Sequence, residues 1–283
     1  MGKVVYLNGE IIEPGRARVS VFDHGFLYGF GLFETMRAYA GRVFRLEEHL
    51  NRLAKSAELL GLPVYAKEMG NAVRDTLEAN GLREARVRIT VSAGEGKIPP
   101  EPGEKRKPTL LVTAEYYQPP AEETYRKGFH AVTSTIRRNS QSPLSCLKSA
   151  NYLESLLSRE QARSRGVQEA ILLNEKGFLA EASMSNIFLV SDNTLVTPDD
   201  YSGILPGITR DTVVELAEEM GINVRTECVP LDELFGADEV FLTNSLIEVM
   251  PLTRIEEKTI GGGQAGDVTG RIMAAYRGLL PSG

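Results

Sequence analysis

A lysine stands in an unusual setting near the middle of the chain, in the stretch "SCLKSANYLESLL" at residues 145–157. Lys148 follows a small polar run and precedes an apolar pattern that predicts a helix over roughly 150–164. The partial positive charge of a helix N-terminus disfavours an ammonium ion, and partial burial acts in the same direction. A lysine kept neutral in this way can act as a nucleophile or base, as Schiff-base lysines do. The alternative is an ordinary surface lysine.

Three other stretches carry groups that could bind an anion. Arg52, in "RLEEHLNRL", lies on the flank of a predicted helix and could hold a phosphate. In "LPGITR", Gly207 permits a close approach of the backbone, and the amides of Ile208 and Thr209 open a helix whose free N–H groups suit an anion. Ser245, in "LTNS", could add a hydroxyl. The alternatives are a solvated arginine, an ordinary helix start and a simple turn.

A carboxylate precedes an apolar strand in "LAEASMSNIFLV". Glu181 enters the predicted core there and therefore needs a partner, which could be a protonated heterocycle nitrogen or an arginine. The chain thus offers a lysine for an aldehyde, an anion cradle for a phosphate and a carboxylate for a ring nitrogen. These are the groups that a pyridoxal-phosphate site requires.

Composition limits the class of protein. The chain has 283 residues, a net charge of −6 and basic residues spread along its length, which argues against nucleic-acid binding. Its two cysteines show no pairing or metal spacing, as expected for reduced thiols in a cytosolic protein. The N-terminus lacks the apolar region of a signal peptide, and no apolar stretch approaches the ~20 residues of a membrane helix. We therefore expect a cytoplasmic protein with no metal and no membrane partner.

The elements that must position these residues fall into two predicted domains. Residues 1–118 predict a small α+β domain, with a hairpin at Asn8-Gly9 and helices over 46–60 and 66–80. Residues 119–124, within "QPPAEET", predict a linker. Residues 125–283 predict a larger, mixed α/β, barrel-like domain, because strands cluster there and helices flank them.

Several motifs occur in one order along the chain, among them "FDHGFLYGFGLFETMR", "LKSANYLESLLSREQA", "LPGITRD" and "ADEVFLTNSLIEVMP". Together they resemble the class-IV aminotransferase family of pyridoxal-phosphate enzymes, which have fold type IV. The resemblance runs from about residue 4 to residue 278. It implies pyridoxal 5'-phosphate as the cofactor and a homodimer as the usual assembly.

The resemblance also implies roles for individual residues. Lys148 matches the lysine that binds the cofactor covalently, and Glu181 matches the glutamate that pairs with the pyridine nitrogen. Tyr28 matches a tyrosine on the substrate side of the cofactor. Tyr152 matches a tyrosine at the cofactor's phenolate oxygen, although branched-chain enzymes carry one more residue between the lysine and the "NY" pair. The residues that match the phosphate-binding cup are Arg52, Ile208, Thr209 and Ser245.

The motifs favour one reaction within the family. "DHGFLYGFGLFETMR" and "TNSLIEVMPLTRIEE" look most like bacterial 4-amino-4-deoxychorismate lyases, which form 4-aminobenzoate and pyruvate. Branched-chain enzymes usually carry Gly-Thr where this chain has Asn244-Ser245, and Glu-Gly where it has Glu34-Thr35. Ala93 replaces an arginine of the D-amino-acid enzymes. The sequence therefore favours the lyase over an aminotransferase acting on branched-chain amino acids, D-amino acids or (R)-amines.

A third hypothesis is a non-catalytic homologue that only binds a ligand or partner. The intact Lys148 and Glu181 argue against it. A separate clue to the substrate comes from "ARVRITVS", in which Arg86 and Arg88 share one face of a predicted strand. Two arginines on a polar face suit a dicarboxylate, as in aminodeoxychorismate or 2-oxoglutarate. The alternative for both arginines is a solvated outer face.

Overall fold

Two separate β-sheets make up the computed structural model, which describes residues 3–99, 101, 103 and 105–281. The described residues group into two units. The first runs to Gln118 and also includes Leu147–Asn151, whereas the second comprises Pro119–Cys146 and Tyr152–Leu279. The Lys148 segment thus groups with the first unit, although the sequence assigned it to the domain over 125–283. A mixed α+β architecture with a barrel-like second part is confirmed.

The first unit is an antiparallel sheet backed by helices. Its sheet has six strands in the order β2-β1-β6-β5-β3-β4. The predicted hairpin turns at Asn8 and Gly9, which both have positive φ (49° and 99°), as a primed two-residue turn requires. The elements are β1 (Val5–Leu7), β2 (Glu10–Ile12), α1 (His24–Tyr28), β3 (Gly31–Tyr39), β4 (Arg42–Val43), α2 (Leu46–Leu59), α3 (Ala66–Asn80), β5 (Ala85–Ser92) and β6 (Thr109–Tyr116).

Side chains alternate across this sheet as the sequence predicted. Along β5, Val87, Ile89 and Val91 are fully buried, while Arg86 and Arg88 are exposed on the opposite face. The buried face joins the apolar sides of α2 and α3 in one hydrophobic core. Burial therefore determines which side chains of the sheet face the helices, and the opposite face carries polar side chains.

The second unit is built on a ten-stranded mixed sheet, in the order β12-β11-β10-β14-β15-β7-β8-β9-β13, with β16 paired to β15. Because β9 also packs against β10, the sheet curls into a nearly closed barrel. The elements are α4 (Glu122–Lys127), β7 (Phe129–Arg138), α5 (Leu153–Ser164), β8 (Glu169–Asn174), β9 (Phe178–Ala182), β10 (Asn186–Ser191), β11 (Thr194–Pro198), α6 (Ile208–Glu219), β12 (Asn223–Glu227), β13 (Val229–Pro230), α7 (Leu231–Gly236), β14 (Glu239–Asn244), β15 (Glu248–Ile255), β16 (Lys258–Thr259) and α8 (Asp267–Gly278).

Two sequence-based expectations change at this level. The helix expected over roughly 150–164 begins only at Leu153, because residues 148–150 are hydrogen-bonded to β3. Strand β9, which carries Glu181, was not predicted as a strand, and residues 122–124 of the expected linker begin α4. None of the helices in the described part of the chain combines the length and apolar character needed to cross a membrane.

Candidate active site

Lys148 is held against strand β3 by its backbone. Its carbonyl oxygen accepts a hydrogen bond from the Phe33 amide at 2.9 Å, and the Ala150 amide donates to the Gly31 carbonyl at 2.8 Å. The expectation that Lys148 lies next to a helix N-terminus was wrong, because α5 begins five residues later, at Leu153. The short strand-like segment therefore fixes where the lysine side chain leaves the backbone.

Phe33 provides a surface that Lys148 shares with Arg88. The Lys148 Nζ lies 5.0 Å from the centroid of the Phe33 ring, and the Arg88 guanidinium carbon lies 3.8 Å from it. The face of an aromatic ring attracts cations, so the buried Phe33 ring helps to place both side chains. An arginine and a lysine thus meet at one apolar ring.

Arg52 is anchored by a buried carboxylate on the helix-facing side of the same strand. Its Nε donates to Glu34 Oε1 at 2.8 Å and its Nη2 donates to Glu34 Oε2 at 2.7 Å. The Glu34 side chain is completely buried, whereas the Arg52 side chain is 14% exposed. His49, one turn earlier on α2, donates from Nδ1 to Glu34 Oε2 at 2.8 Å. The two-bond pairing fixes both the position and the plane of the guanidinium.

The protonation states of these groups follow from their contacts. Burial alone would raise the pKa of Glu34, but the charge of Arg52 and the hydrogen bonds from His49 and Arg52 lower it to about 2. Burial lowers the pKa of His49, and the nearby charges of Arg52 and Lys148 act in the same direction, although Glu34 opposes them. Glu34 is therefore a carboxylate at neutral pH, and His49 is a neutral ring that carries its proton on Nδ1.

Arg86 and Tyr28 occupy more open positions. Arg86 forms an ion pair with Glu115 on the neighbouring strand β6. Tyr28 ends helix α1, is 45% exposed and packs edge-on against the buried His24. The Asn151 Nδ2 donates to the Gly29 carbonyl at 2.9 Å, so the end of this helix is tied to the Lys148 segment.

In the second unit, Glu181 lies buried on β9 with an arginine partner. Its Oε1 accepts hydrogen bonds from Nε and Nη2 of Arg138, which ends β7, and its Oε2 accepts one from the Leu205 amide at 3.1 Å. Burial would lower the pKa of Arg138, but the charge and hydrogen bonds of Glu181 raise it. The sequence suggested a heterocycle nitrogen or an arginine as the partner of Glu181, and the protein itself supplies the arginine, Arg138.

Tyr152 belongs to the same electrostatic group. It immediately precedes α5, and burial together with the charge of Glu181 raises the pKa of its phenol to about 12, with Arg138 opposing. The phenol is therefore protonated at neutral pH and can donate a hydrogen bond. Its contact with a cofactor stays a prediction.

The helix that carries Ile208 and Thr209 begins at a glycine with no room for a side chain. A Cβ added to Gly207 would overlap Asn186 Oδ1, so only glycine lets the chain pass Asn186 before α6 begins. The Asn186 Nδ2 donates to the Leu205 carbonyl at 2.9 Å and to Glu181 Oε2 at 3.5 Å. Amides in the first turn of a helix have no partner within that helix, so this end suits an anion.

The turn that carries Ser245 is held in place by the side chain of the preceding residue, Asn244. The Asn244 Nδ2 donates to Ser185 Oγ at 2.9 Å, and Asn244 Oδ1 accepts from the amides of Leu246 and Ile247 at 2.8 and 3.0 Å. Ser185 and Asn186 thus hold the Ser245 turn and the start of α6, and Asn186 also contacts Glu181. The second unit therefore gathers a carboxylate, a helix N-terminus and a hydroxyl-bearing turn around the first residues of β10.

Three of these functional side chains were not predicted from the sequence: Glu34, Arg138 and Asn186. For Glu34 a signal existed, because alternation along β3 places it on the same face as the buried Leu32 and Met36. A charged residue at such a position needs a buried partner. Arg138 and Asn186 stand at the ends of strands and carry no comparable local signal.

Comparisons with known proteins show what the whole chain is similar to. The sequence profile of the family Amino-transferase class IV matches residues 31–255. A Methanocaldococcus jannaschii protein, provisionally named a branched-chain-amino-acid aminotransferase, is 41% identical over 278 residues, covering 97% of this chain and 96% of that protein. The aminodeoxychorismate lyase of Bacillus subtilis is 34% identical over 278 residues, covering 97% and 94%.

Solved structures extend the likeness to three dimensions. The Escherichia coli branched-chain amino acid aminotransferase superposes with a TM-score of 0.94 at 33% identity, covering 99% of this chain and 95% of that one. A second branched-chain amino acid aminotransferase, solved with pyridoxamine 5'-phosphate, gives a TM-score of 0.91 at 32% identity, covering 98% and 93%. The branched-chain aminotransferase of Thermoproteus uzoniensis, solved with norvaline, gives 0.89 at 33% identity, covering 98% and 94%.

Replacing Gly207 tests the packing at the start of α6. Gly207→Ala should lower the free energy of unfolding by roughly 1–3 kcal/mol, because its Cβ would overlap Asn186 Oδ1. The control is Gly270→Ala in α8, where a Cβ meets no atom within 4 Å. That helical substitution should stabilise by up to ~1 kcal/mol. Denaturant titration measures both changes, and equal effects of the two variants would contradict the close approach at Gly207.

Proposed function

The chain belongs to the class IV aminotransferase family of pyridoxal-phosphate enzymes, and we propose that it transfers the amino group of a branched-chain amino acid to a 2-oxo acid. One observation carries this choice of substrates: the Phe33 ring stands beside both Lys148 and Arg88. An apolar ring can pack against a branched side chain, whereas the guanidinium can pair with the second carboxylate of an acceptor such as 2-oxoglutarate. The names of the relatives and solved structures support the same choice.

The residues of the chain fit the chemical parts of the cofactor. Lys148 is placed by β3, and Arg52 presents a guanidinium that Glu34 holds in one orientation. Gly207 leaves α6 with an N-terminus suited to a phosphate, and Glu181 supplies a buried carboxylate for a ring nitrogen. The proposed cofactor-binding residues are Arg52, Lys148, Tyr152, Glu181, Ile208, Thr209 and Ser245.

Three of these residues, Lys148, Glu181 and Tyr152, have tasks in the chemistry of the proposed reaction. When bound, pyridoxal phosphate supplies an aldehyde for the substrate amine and a ring that accepts electrons. Lys148 would hold the aldehyde carbon, and its amine, once released, would carry a proton first as base and then as acid. Glu181, held by Arg138 and the Leu205 amide, keeps a negative charge that favours a protonated ring nitrogen. Tyr152 donates a hydrogen bond from its phenol.

The second candidate is the 4-amino-4-deoxychorismate lyase that the sequence motifs favoured. The comparisons support the aminotransferase more strongly, but the chain is also similar to the Bacillus subtilis lyase, which makes the lyase reaction the second candidate. The turn at Asn244 is a second observation in favour of the lyase. The side-chain oxygen of Asn244 accepts hydrogen bonds from two backbone amides, and the Gly-Thr pair that branched-chain enzymes usually carry has no side-chain amide to do so.

One assay separates the two reactions. The enzyme is given L-leucine, L-isoleucine or L-valine with 2-oxoglutarate and, separately, aminodeoxychorismate. We expect formation of L-glutamate and the branched-chain 2-oxo acid, with slower or no release of 4-aminobenzoate and pyruvate. Release of 4-aminobenzoate without any amino transfer would assign the lyase reaction instead.

We also propose that the enzyme is a cytoplasmic homodimer. The segment before Tyr28 exposes five large apolar side chains, Val19 (49%), Val21 (65%), Phe22 (59%), Phe26 (74%) and Leu27 (40%). Adjacent exposed apolar residues commonly mark a protein interface, and a second copy of this chain is the proposed cover. Cys146 and Cys228 are free, as a reducing compartment favours. Sedimentation equilibrium at micromolar concentration tests the dimer.

Lys148→Ala should abolish turnover and remove the absorbance band of the lysine-bound cofactor. The variant lacks the only atom proposed to hold the aldehyde carbon, whereas the backbone pairing with β3 does not depend on the side chain. Spectra of the reconstituted variant and a borohydride-trapping experiment measure the effect. A reducible lysine–cofactor bond in the alanine variant would assign the anchor to another lysine.

Arg52→Ala should weaken binding of pyridoxal 5'-phosphate by about tenfold to a hundredfold, because a charge-assisted bond contributes roughly 1.5–3 kcal/mol. Turnover at saturating cofactor should change less. The matched ligand is pyridoxal, which lacks the phosphate and should bind the variant and the parent equally well. Equilibrium dialysis of both ligands measures the difference, and an unchanged affinity for the phosphate form would remove Arg52 from the cup.

Arg88→Ala should lower kcat/KM for 2-oxoglutarate by roughly tenfold to a hundredfold, the loss expected for one charge-assisted bond. Activity with a monocarboxylic 2-oxo acid should fall far less, and the cofactor spectrum should not change. Arg86→Ala is the comparison on the same face, where we expect a smaller effect because Glu115 already pairs with Arg86. Equal losses for all acceptors would show that Arg88 is structural.

A further inference from the structure

Glu34 is not among the residues proposed to touch the cofactor or the substrate, yet its charged side chain is completely buried. It accepts three hydrogen bonds, two from Arg52 and one from His49. Its pKa of about 2 shows that these contacts outweigh the cost of burial. A charge kept at such a depth needs a reason beyond stability, because an apolar replacement often stabilises a fold equally well.

The position of Glu34 in the chain supplies that reason. Its neighbour Phe33 donates its amide to the carbonyl of Lys148, and the Phe33 ring lies under the Lys148 amine. Glu34 itself points to the opposite, helix-facing side of β3 and holds Arg52. Two consecutive residues of one strand therefore fix the lysine and the arginine with respect to each other.

We propose that Glu34 is a positioning residue that sets the orientation of Arg52, relative to Lys148, for the phosphate of the cofactor. This inference rests on the proposed role of Arg52. The phosphate and the aldehyde carbon of one small molecule are a fixed distance apart, so their two protein partners must be held at a matching separation. A flexible arginine side chain cannot do this by itself, whereas a guanidinium bonded through two nitrogens can.

His49 strengthens the same arrangement from the other side. It donates to Glu34 Oε2, the oxygen that also accepts from Arg52 Nη2. The carboxylate is thereby prevented from rotating away from the arginine. A neutral imidazole suits this task, since a second full positive charge beside Arg52 would compete for the same carboxylate.

Two substitutions separate orientation from charge. Glu34→Gln keeps the shape but turns an N–H group toward donors of Arg52 or His49, and it removes the charge. Glu34→Asp keeps the charge but withdraws the carboxylate by one methylene, so both bonds to Arg52 cannot form together. The measured quantity is the ratio of dissociation constants for pyridoxal and pyridoxal 5'-phosphate, obtained by equilibrium dialysis against the full-length apoprotein.

We expect both variants to lower this phosphate preference about tenfold while leaving the affinity for pyridoxal nearly unchanged. A loss with Glu34→Gln but not with Glu34→Asp would show that only the charge matters, and would overturn the positioning role. So would a gain in phosphate preference in Glu34→Gln. The aspartate variant retains a buried ionised partner for Arg52, so it keeps the test decisive if the glutamine variant does not fold.

Asp23→Asn is the matched control in the same unit. Asp23 is a buried carboxylate that also accepts three hydrogen bonds, from the Gly25 amide, Ser92 Oγ and Thr109 Oγ1, each at 2.7 Å. Its substitution should lower the melting temperature without changing the phosphate preference. If this control reduced the preference as much as Glu34→Gln, the effect would be a general loss of structure and the proposal would fail.

A double-mutant comparison separates failure of this inference from failure of the proposed function. In an Arg52→Ala background, Glu34→Gln should cause no further loss of phosphate preference, because Glu34 acts only through Arg52. If Arg52→Ala alone leaves the preference unchanged, the proposed role of Arg52 is wrong. If Arg52→Ala lowers the preference but neither Glu34 variant does, Arg52 binds the phosphate and the inference about Glu34 is wrong.

Discussion

Strand β3 contacts both the segment that carries Lys148 and the helix that carries Arg52, and the positions of the candidate residues in the first unit depend on these two contacts. Its backbone pairs with the segment that carries Lys148, while Glu34 reaches into the helix layer to hold Arg52. Strand geometry makes both possible, since consecutive residues point to opposite faces. Phe33 can thus serve the lysine on one face as Glu34 serves the arginine on the other.

In the second unit, two small polar residues hold the candidate residues in position. Ser185 and Asn186 stand where β10 begins, and their side chains hold the turn before Ser245 and the loop that leads to α6. Asn186 also bonds the carboxylate of Glu181, so three separate parts of the chain share one anchor. This arrangement depends on the glycine at position 207, because a side chain there would overlap the side-chain amide of Asn186.

Much of the fold could be predicted because it follows from local patterns. The hairpin at Asn8-Gly9, the helix over 66–80 and the two faces of β5 all appear where turn residues and alternation placed them. The setting of Lys148 could not be predicted, because its pairing with β3 joins residues more than a hundred positions apart. The sequence likewise named Glu181 but could not supply Arg138, whose approach depends on how β7 and β9 flank β8. The reaction does not follow from local motifs, because Asn244-Ser245 favours a lyase while similarity over the whole chain supports an aminotransferase.

Lys148, placed by strand β3, is the lysine proposed to hold the cofactor. Borohydride reduction of the enzyme loaded with pyridoxal 5'-phosphate, followed by peptide mass spectrometry, identifies the residue, because reduction makes the bond permanent and the labelled peptide can be sequenced. We expect the phosphopyridoxyl group on Lys148 alone. The same group on any other lysine, with Lys148 unmodified, would show that Lys148 is not the residue that holds the cofactor.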